Sequence, residues 1–214
     1  MICKATYKYI VKEAKKRNIV IDENYNAILD EYKDIVKGFG RNLEFRSGRA
    51  MYRNTLNANA GYFSSSSIIA TPEWALQLVT SEKKDKARNA FLITLGHEMT
   101  HKDKELVWFP HISYMKFFSW INEIHADFGG TQKLANSKRA ALLQAIDFKR
   151  EFKRVNNMKD IEDYTHPSWK RRRFYAENFN FDKKLIMQIA KDTGFKNKDI
   201  IRDVMCFFDN IVLE

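Results

Sequence analysis

The chain has 214 residues, of which 44% are hydrophobic and 14% aromatic, so it can bury a sizeable core and general disorder is excluded. Its length favours a single domain over residues 1–214. The 37 lysines and arginines exceed the 27 acidic residues and give a formal charge of +10. This excess favours an anionic partner but does not choose between nucleic acid, a lipid surface and an acidic protein.

Three features bear on where the protein works. The N-terminal residues contain scattered lysines and no apolar segment of the kind that a secretory signal needs. Cys3 and Cys206 form no CxxC pair, which argues against a disulfide framework or a cysteine-based zinc ribbon and favours a reducing compartment. The longest apolar stretch, residues 106–121, is shorter than the ~20 residues that span a bilayer. We therefore expect no membrane span and a cytoplasmic location.

The first third of the chain contains both helical and extended patterns. Apolar residues at helical spacing predict helices over residues 3–17 and 23–37, and the glycines of residues 38–40 end the second helix. Residues 42–69 mix apolar residues with glycine, asparagine and serine, which predicts short strands and turns.

The rest of the chain has a helical pattern. Thr71 and Pro72 predict an N-cap followed by the first residue of a helix. Further helices are predicted over residues 84–104, 112–135, 138–157, 167–178, 181–191 and 198–212. The expected fold class is therefore α+β, mostly α-helical, with one small sheet in the first third.

A metal-binding motif lies inside the predicted helix 84–104. His97 and His101 are four residues apart, so their imidazoles lie on one face of the helix and can converge on one tetrahedral metal ion. Glu98 would then lie beside the metal, where a carboxylate can take a proton from water. This HExxH pattern is typical of zinc proteases. A chance match, with two histidines on an ordinary helix surface, is the alternative.

A catalytic zinc ion needs a third protein ligand, and the residues next to the motif are poor candidates. The metzincin pattern requires glycine and histidine where this sequence has Lys104 and Val107, so that pattern is excluded. Glu105 lies one turn beyond His101, but three ligands on one short helix would leave little of the metal accessible.

A glutamate from a second helix is the better candidate. Glu123 and Asp127 are four residues apart in the predicted helix 112–135, so they face the same way. Glu123 can ligate the metal while Asp127 accepts the second ring N–H of a ligating histidine. His125 faces away from Glu123 and is a less favoured ligand. Without the HExxH motif, such a pair of acids would be typical of a solvated helix face.

A further candidate element begins at His166. Pro167 follows it at the predicted start of a helix, which places His166 at the edge of the N-cap, where it can point into a cleft. Arg172 lies on the following turns and could pair with an acid such as Asp127, although an arginine on either side of it could take that role. The alternative is an ordinary helix start with a basic exposed face.

Together and in this order, these motifs resemble the gluzincin metallopeptidases of the HtpX and CAAX prenyl protease type. The pattern of that family is HExxH, then a glutamate ligand in E-x-x-A-D, then HPxxxxR. The corresponding residues here are His97-Glu98-Met99-Thr100-His101, then Glu123-Ile124-His125-Ala126-Asp127, then His166-Pro167 with Arg172. An Asn-Ala strand segment lines the family's substrate cleft, and residues 59–70 are similar to it. The resemblance covers about residues 58–178 and leaves residues 1–40 and 179–214 outside as flanking helices.

The resemblance implies a zincin-like domain and a zinc-dependent endopeptidase that acts on a protein or peptide substrate. An extended substrate would add as a strand to the edge near residues 59–70. Because membrane members of the family have transmembrane helices and none is expected here, a prenylated or membrane-embedded substrate is not expected. Carried over position by position, the ligands of one Zn²⁺ are His97, His101 and Glu123, the acid behind a ligating histidine is Asp127, the general base is Glu98, and the catalytic or supporting residues are His166 and Arg172.

Two other functions remain open. Residues 138–173 carry 11 basic and 5 acidic residues, hence +6 of the total +10, which suggests a basic nucleic-acid-binding or nucleoprotein-associated module. No recognised nucleic-acid-binding motif accompanies this charge. The other alternative is a zinc-bearing scaffold without catalysis, although Glu98 argues against it because a structural site needs no base. The near-neutral residues 81–136 contain the metal motifs, so we interpret the charge as favouring an acidic substrate, with nucleic acid the less favoured partner.

Overall fold

A computed structural model describes residues 2–46, 54–60, 67–80, 84–103, 112–135 and 138–209. The helices are α1 (Lys4–Arg17), α2 (Tyr25–Gly38), α3 (Pro72–Val79), α4 (Lys84–Asp103), α5 (Ile112–Leu134), α6 (Arg139–Val155), α7 (Trp169–Asn178), α8 (Lys183–Thr193) and α9 (Lys198–Asp209). The strands are β1 (Asn42–Phe45), β2 (Ala58–Ala60) and β3 (Ser67–Ala70). The prediction of a mostly helical α+β fold with one small sheet in the first third is confirmed.

The sheet has the order β1-β3-β2, so β3 is its central strand. β1 pairs with β3 in parallel, with Leu43 opposite Ile68. β2 pairs with β3 antiparallel, with Asn59 opposite Ile69. Alternate residues of β1 and β3 are buried, as expected of strands with one face on a core. β2 is an edge strand and packs against α4, so the sheet edge faces the helix that carries the HExxH motif.

Two hydrophobic clusters form the core. The first combines the sheet with residues of α1 to α4, α6 and α7. In it, the ring centroid of Phe91 lies 5.1 Å from that of Tyr32 and 5.0 Å from that of Trp74. The second combines α5, α7, α8 and α9. Because α1, α2, α8 and α9 contribute buried residues to these clusters, the helices outside residues 58–178 are part of the core. The assignment of the whole chain to one domain stays a prediction.

The start of α7 differs from its prediction. α7 begins at Trp169, and Ser168 is its N-cap, with Oγ accepting a hydrogen bond from the backbone N–H of Arg171 at 3.2 Å. A serine hydroxyl satisfies a free N–H of the first turn, which a histidine followed by proline does not. His166 therefore lies in the preceding loop, where Asp163 Oδ1 accepts its backbone N–H at 2.7 Å. The prediction that His166 lies at the N-cap edge was wrong.

Some predictions fall outside the described residues. They concern residues 106–111 of the longest apolar stretch, Glu105 as an alternative ligand, and residues 61–66 of the proposed strand segment. Among the described helices, none combines the length and the apolar character needed to cross a bilayer.

Candidate metal centre

The candidate site lies where α4 crosses α5, and glycines allow these two helices to approach closely. A Cβ at Gly96 would lie 2.6 Å from the carbonyl oxygen of Gly130, and a Cβ at Gly130 would lie 2.5 Å from the backbone nitrogen of His97. A Cβ at Gly129 would lie 2.6 Å from the side chain of Thr100. A larger residue at any of these positions would push the helices apart. This close crossing brings the acidic face of α5 to the HExxH face of α4.

His97, His101 and Glu123 bring one donor atom each to a common point. The Nε2 atoms of the two histidines are 2.9 Å apart. Glu123 Oε2 lies 3.6 Å from His97 Nε2, and its Oε1 lies 3.4 Å from His101 Nε2. Tetrahedral zinc with bonds of about 2.0–2.2 Å separates its ligand atoms by about 3.3–3.5 Å. The two distances to Glu123 are close to this separation, whereas the two Nε2 atoms lie closer together than zinc would hold them. The three residues predicted as ligands form a cluster that could hold a metal ion, and two imidazoles with one carboxylate are one of the donor sets found in catalytic zinc centres.

Asp127 orients His97 from behind. Its Oδ1 lies 3.0 Å from His97 Nδ1, and both residues are buried. Burial raises the pKa of Asp127, but the charge of Arg172 and the hydrogen bonds from His97 and Arg172 outweigh it and hold this pKa below its usual range. An ionised carboxylate can only accept, so Nδ1 carries the proton and Nε2 directs its lone pair at the ligand cluster. Burial and the neighbouring His101 lower the pKa of His97 to about 4, which keeps it neutral at pH 7, as a metal ligand must be.

Arg172 links the two carboxylates of α5. Its buried guanidinium donates from Nε to Asp127 Oδ2 at 2.7 Å and from Nη1 to Glu123 Oε2 at 3.2 Å, and Nη2 pairs with Asp127 Oδ1. The pairing with Asp127 that the sequence suggested is thus found at this arginine. Its neighbours point elsewhere: Arg171 pairs with Glu162 and Asp192, and Arg173 pairs with Asp147 and Glu177.

The same interactions keep Glu123 ionised. Burial raises its pKa, but the hydrogen bond with His101 and the interactions with His97 and Arg172 outweigh burial and bring the pKa to about 2. Glu123 is therefore a carboxylate at pH 7, as a metal ligand must be.

Glu98 lies beside the ligand cluster without being one of its three converging donors. Its Oε2 accepts a hydrogen bond from the backbone N–H of Ala60 at 2.8 Å, which ties α4 to the edge strand β2. Burial raises the pKa of Glu98 to about 7. A carboxylate with this pKa can both take up and release a proton near neutral pH.

His166 reaches the site from the loop before α7. Its Nε2 lies 3.5 Å from Glu123 Oε1, and its side chain is 58% exposed. Its Nδ1 lies 2.8 Å from Thr165 Oγ1. His166 therefore borders the open side of the cluster, whereas Arg172 is buried behind it.

His125 does not face the metal cluster. Its ring lies 5.0 Å from that of Phe181 and 4.9 Å from that of Phe208, on the other side of α5. This position agrees with the expectation from its spacing.

A cavity of about 690 Å³ opens over the cluster. Its walls are β2 and the residues before it, the facing sides of α4 and α5, and the loop that carries His166. Lys149 of α6 and Trp169 of α7 also line it. Both cations lie near the ring of Trp169. Lys149 Nζ is 4.6 Å from the ring centre, and the guanidinium carbon of Arg172 is 4.1 Å from it. From the sequence, Lys149 could not be told apart from the other basic residues of the segment 138–173.

Acidic side chains neutralise much of the basic segment 138–173. Its three consecutive arginines pair with acids outside the segment. Arg171 pairs with Asp192, Arg172 pairs with Asp127 and Glu123, and Arg173 pairs with Glu177. By contrast, α1 exposes lysines that make no ion pair with a described residue: Lys4, Lys8, Lys12, Lys15 and Lys16. The +6 counted along the segment therefore overstates the positive charge that a partner would meet there.

No protein-family model, no curated protein and no solved structure matches this chain. The resemblance to gluzincin metallopeptidases of the HtpX and CAAX prenyl protease type therefore rests on the three motifs, and family membership stays a prediction.

Proposed function

We propose that this protein is a zinc-dependent endopeptidase built on a zincin-like domain. The observation that carries the proposal is the convergence of His97, His101 and Glu123, whose donor atoms lie within 4.8 Å of one another beneath an open cavity. A structural zinc site closes its fourth position with another protein ligand, whereas a catalytic site leaves that position to water and substrate. Among the described residues, the ligand cluster has these three members, and Glu98 lies beside it.

The residues around the cluster fit the roles that this chemistry requires. His97, His101 and Glu123 would hold the ion, with Asp127 keeping His97 in its ligating tautomer. When bound, Zn²⁺ supplies a Lewis acid that lowers the pKa of water toward ~7 and polarises a carbonyl group. Glu98 would take a proton from the attacking water and deliver it to the leaving amine. Because Ala60 occupies Oε2 of Glu98, Oε1 is the atom left for this proton.

The edge strand β2 would align the substrate. Its residue Ala60 directs its N–H at Glu98 rather than at β3, so this edge of the strand faces the cavity. In an antiparallel pair the backbone groups of alternate residues share one edge, which puts Ala58 on the same side. An extended peptide would pair with this edge and place one of its carbonyl groups over the ligand cluster.

His166 and Arg172 would serve the reaction in different ways. His166 is exposed on the open side of the cluster, where its Nε2–H could donate to the oxygen that becomes negative during attack. Arg172 is buried and its donors are committed to Asp127 and Glu123. It would therefore act as a positioning residue that holds both carboxylates.

Zinc dependence tests the proposal directly. Protein reconstituted with about one equivalent of Zn²⁺ should cleave an unfolded protein such as reduced and alkylated casein. A chelator should abolish the cleavage, and added Zn²⁺ should restore it. The His97→Ala/His101→Ala double variant should lose the zinc and the cleavage together. Cleavage that persists in the double variant, or zinc binding that survives it, would contradict the proposal. The cytoplasmic location expected from the sequence also stays a prediction.

A further inference from the structure

Lys149 is a cation in the cavity wall that the proposed reaction does not use. It belongs to α6 and lines the same cavity as Glu98 and Glu123. Its side chain is partly buried between two indoles, with Nζ 4.6 Å from the ring centre of Trp169 and 5.8 Å from that of Trp74. These contacts hold the ammonium at the cavity surface instead of letting it extend into solvent.

Lys149 makes no ion pair with a described residue, unlike the arginines that surround it. Removing an ammonium from water without supplying an anion costs free energy, and the faces of the indoles offset that cost only in part. Burial and the charge of Arg172 lower the pKa of Lys149 to about 8, so the side chain is still mostly protonated at pH 7. The carboxylates of Glu98, Glu123 and Asp127 attract this ammonium, but no described carboxylate lies within ion-pair distance of it.

The summed charge of the site also favours an anionic substrate group. Arg172, Lys149 and Lys102 line the cavity and contribute three positive charges, and a divalent ion on the ligand cluster would contribute two more. The carboxylates of Glu98, Glu123 and Asp127 contribute at most three negative charges, since burial raises the pKa of Glu98 to about 7. The loaded site would therefore carry an excess of positive charge, and an anionic group on the substrate would balance it.

We propose that Lys149 recognises a carboxylate of the peptide substrate. That carboxylate is either the side chain of an aspartate or glutamate or the C-terminal group of a peptide, since both present the same oxygens to an ammonium. The indole of Trp169 forms a flat wall beside the ammonium, against which the carbon chain of the substrate residue packs. This inference rests on the proposed endopeptidase function and names the substrate class of that site.

The two sources of the carboxylate are separated by a peptide library made by digesting a cell proteome with trypsin. The zinc-loaded full chain is incubated with the library, and the cleavage sites are read by mass spectrometry. Aspartate or glutamate enriched at one fixed position relative to the cleaved bond identifies a side chain. Cleavage at a fixed distance from the peptide end identifies the C-terminal group. In the best peptide, replacing that acid by its amide, or amidating the C-terminus, should lower kcat/KM by about 10–100-fold.

Variants of Lys149 tie this preference to the residue. Lys149→Met keeps a similar length and the apolar stem against Trp169, and it should bring the ratio of kcat/KM between acid and amide peptides close to one. Lys149→Arg keeps the charge and should keep most of the ratio. Lys170→Met is the matched control, because Lys170 is an exposed lysine beside Trp169 in the chain and is not among the residues that line the cavity. It should leave the ratio as in the wild type.

A binding measurement separates recognition from catalysis. The acid and amide peptides are labelled with a fluorophore and titrated with the zinc-loaded Glu98→Gln variant, with and without Lys149→Met. Fluorescence anisotropy should show that Glu98→Gln binds the acid peptide more tightly than the amide and that adding Lys149→Met removes this preference. A wild type that cleaves peptides without regard to their carboxylates, or a preference that survives Lys149→Met, would overturn this inference and leave the proposed function intact. A zinc-loaded wild type that cleaves no peptide would overturn the proposed function, and this inference would fall with it.

Discussion

Gly130 of α5 lies directly against the backbone nitrogen of His97 in α4, where a Cβ would come within 2.5 Å of that nitrogen. Gly96 approaches Gly130 in the same crossing, so the two helices that carry the metal-binding residues meet without side chains between them. This contact sets the distance between the HExxH face and Glu123. The spacing of the ligand cluster therefore depends on glycines that hold no metal themselves.

Gly130→Ala should force α4 and α5 apart. We expect the free energy of unfolding of the metal-free protein to fall by about 1–3 kcal/mol. Zinc affinity should fall by about tenfold or more, because Glu123 moves away from the two histidines. Urea unfolding and competition with a chromophoric chelator measure the two effects. Gly38→Ala is the control, since a Cβ there meets nothing within 4 Å. A Gly130→Ala variant that binds zinc like the wild type would contradict the role of the crossing.

Arg172→Met should destabilise the metal-free protein by about 3–5 kcal/mol, because it leaves two buried carboxylates without their cation. Urea unfolding in the presence of a chelator measures this change. Arg173→Met is the matched control, since Arg173 makes its ion pairs with partly exposed acids and should cost about 1 kcal/mol or less. Equal effects of the two substitutions would show that the buried pairing of Arg172 does not hold the site together.

Glu98→Gln should stabilise the metal-free protein in a way that depends on pH. Burial raises the pKa of Glu98 to about 7 from the ordinary 4.5. A raised pKa means that the contribution of Glu98 to stability is most favourable below pH 4.5 and is lost as the pH rises through 7, by up to about 3 kcal/mol. Glutamine is uncharged, so the variant should exceed the wild type by about this amount at pH 8 and by little at pH 5. Urea unfolding with chelator at both pH values tests the prediction, and a difference that does not change with pH would contradict it.

Nucleic-acid binding should be weak and should not depend on the basic segment 138–173. Anisotropy with a labelled duplex at 150 mM salt should give a Kd no tighter than about 1 µM. The affinity should fall steeply as salt is added. Replacing Lys4, Lys8 and Lys12 of α1 by glutamine should reduce this binding more than replacing Arg171 and Arg173, which are paired with acids. Nanomolar binding at this salt concentration would instead favour the nucleic-acid alternative.

The local elements could be predicted because their signals lie within a few turns. The helix predicted over residues 84–104 spans Lys84–Asp103, and the one predicted over 112–135 spans Ile112–Leu134. The convergence of His97 and His101 follows from helical spacing alone. Glu123 contacts the histidines across two helices, so the spacing within one helix could not identify it. Its prediction as a ligand depended on Asp127, the second acid four residues further along α5.

Contacts between distant parts of the chain that belong to no recognised motif could not be predicted. Glu73 follows the N-cap of α3, where an acid is usually solvated, yet it is fully buried and accepts hydrogen bonds from Tyr9 at 2.6 Å and Arg17 at 2.7 Å. The glycines of the helix crossing also gave no signal that distinguished them from turn glycines. The charge count along residues 138–173 was misleading for the same reason, because the neutralising acids come from other elements.

The most direct measurement compares peptide cleavage by the wild type and by Glu98→Gln at matched zinc content. The substitution removes the proposed base and leaves His97, His101 and Glu123 in place. We expect the variant to bind about one equivalent of zinc, like the wild type, while its kcat for peptide cleavage falls by about 10²–10⁴-fold. Undiminished cleavage by a zinc-loaded Glu98→Gln variant would contradict the assignment of this protein as a zinc endopeptidase.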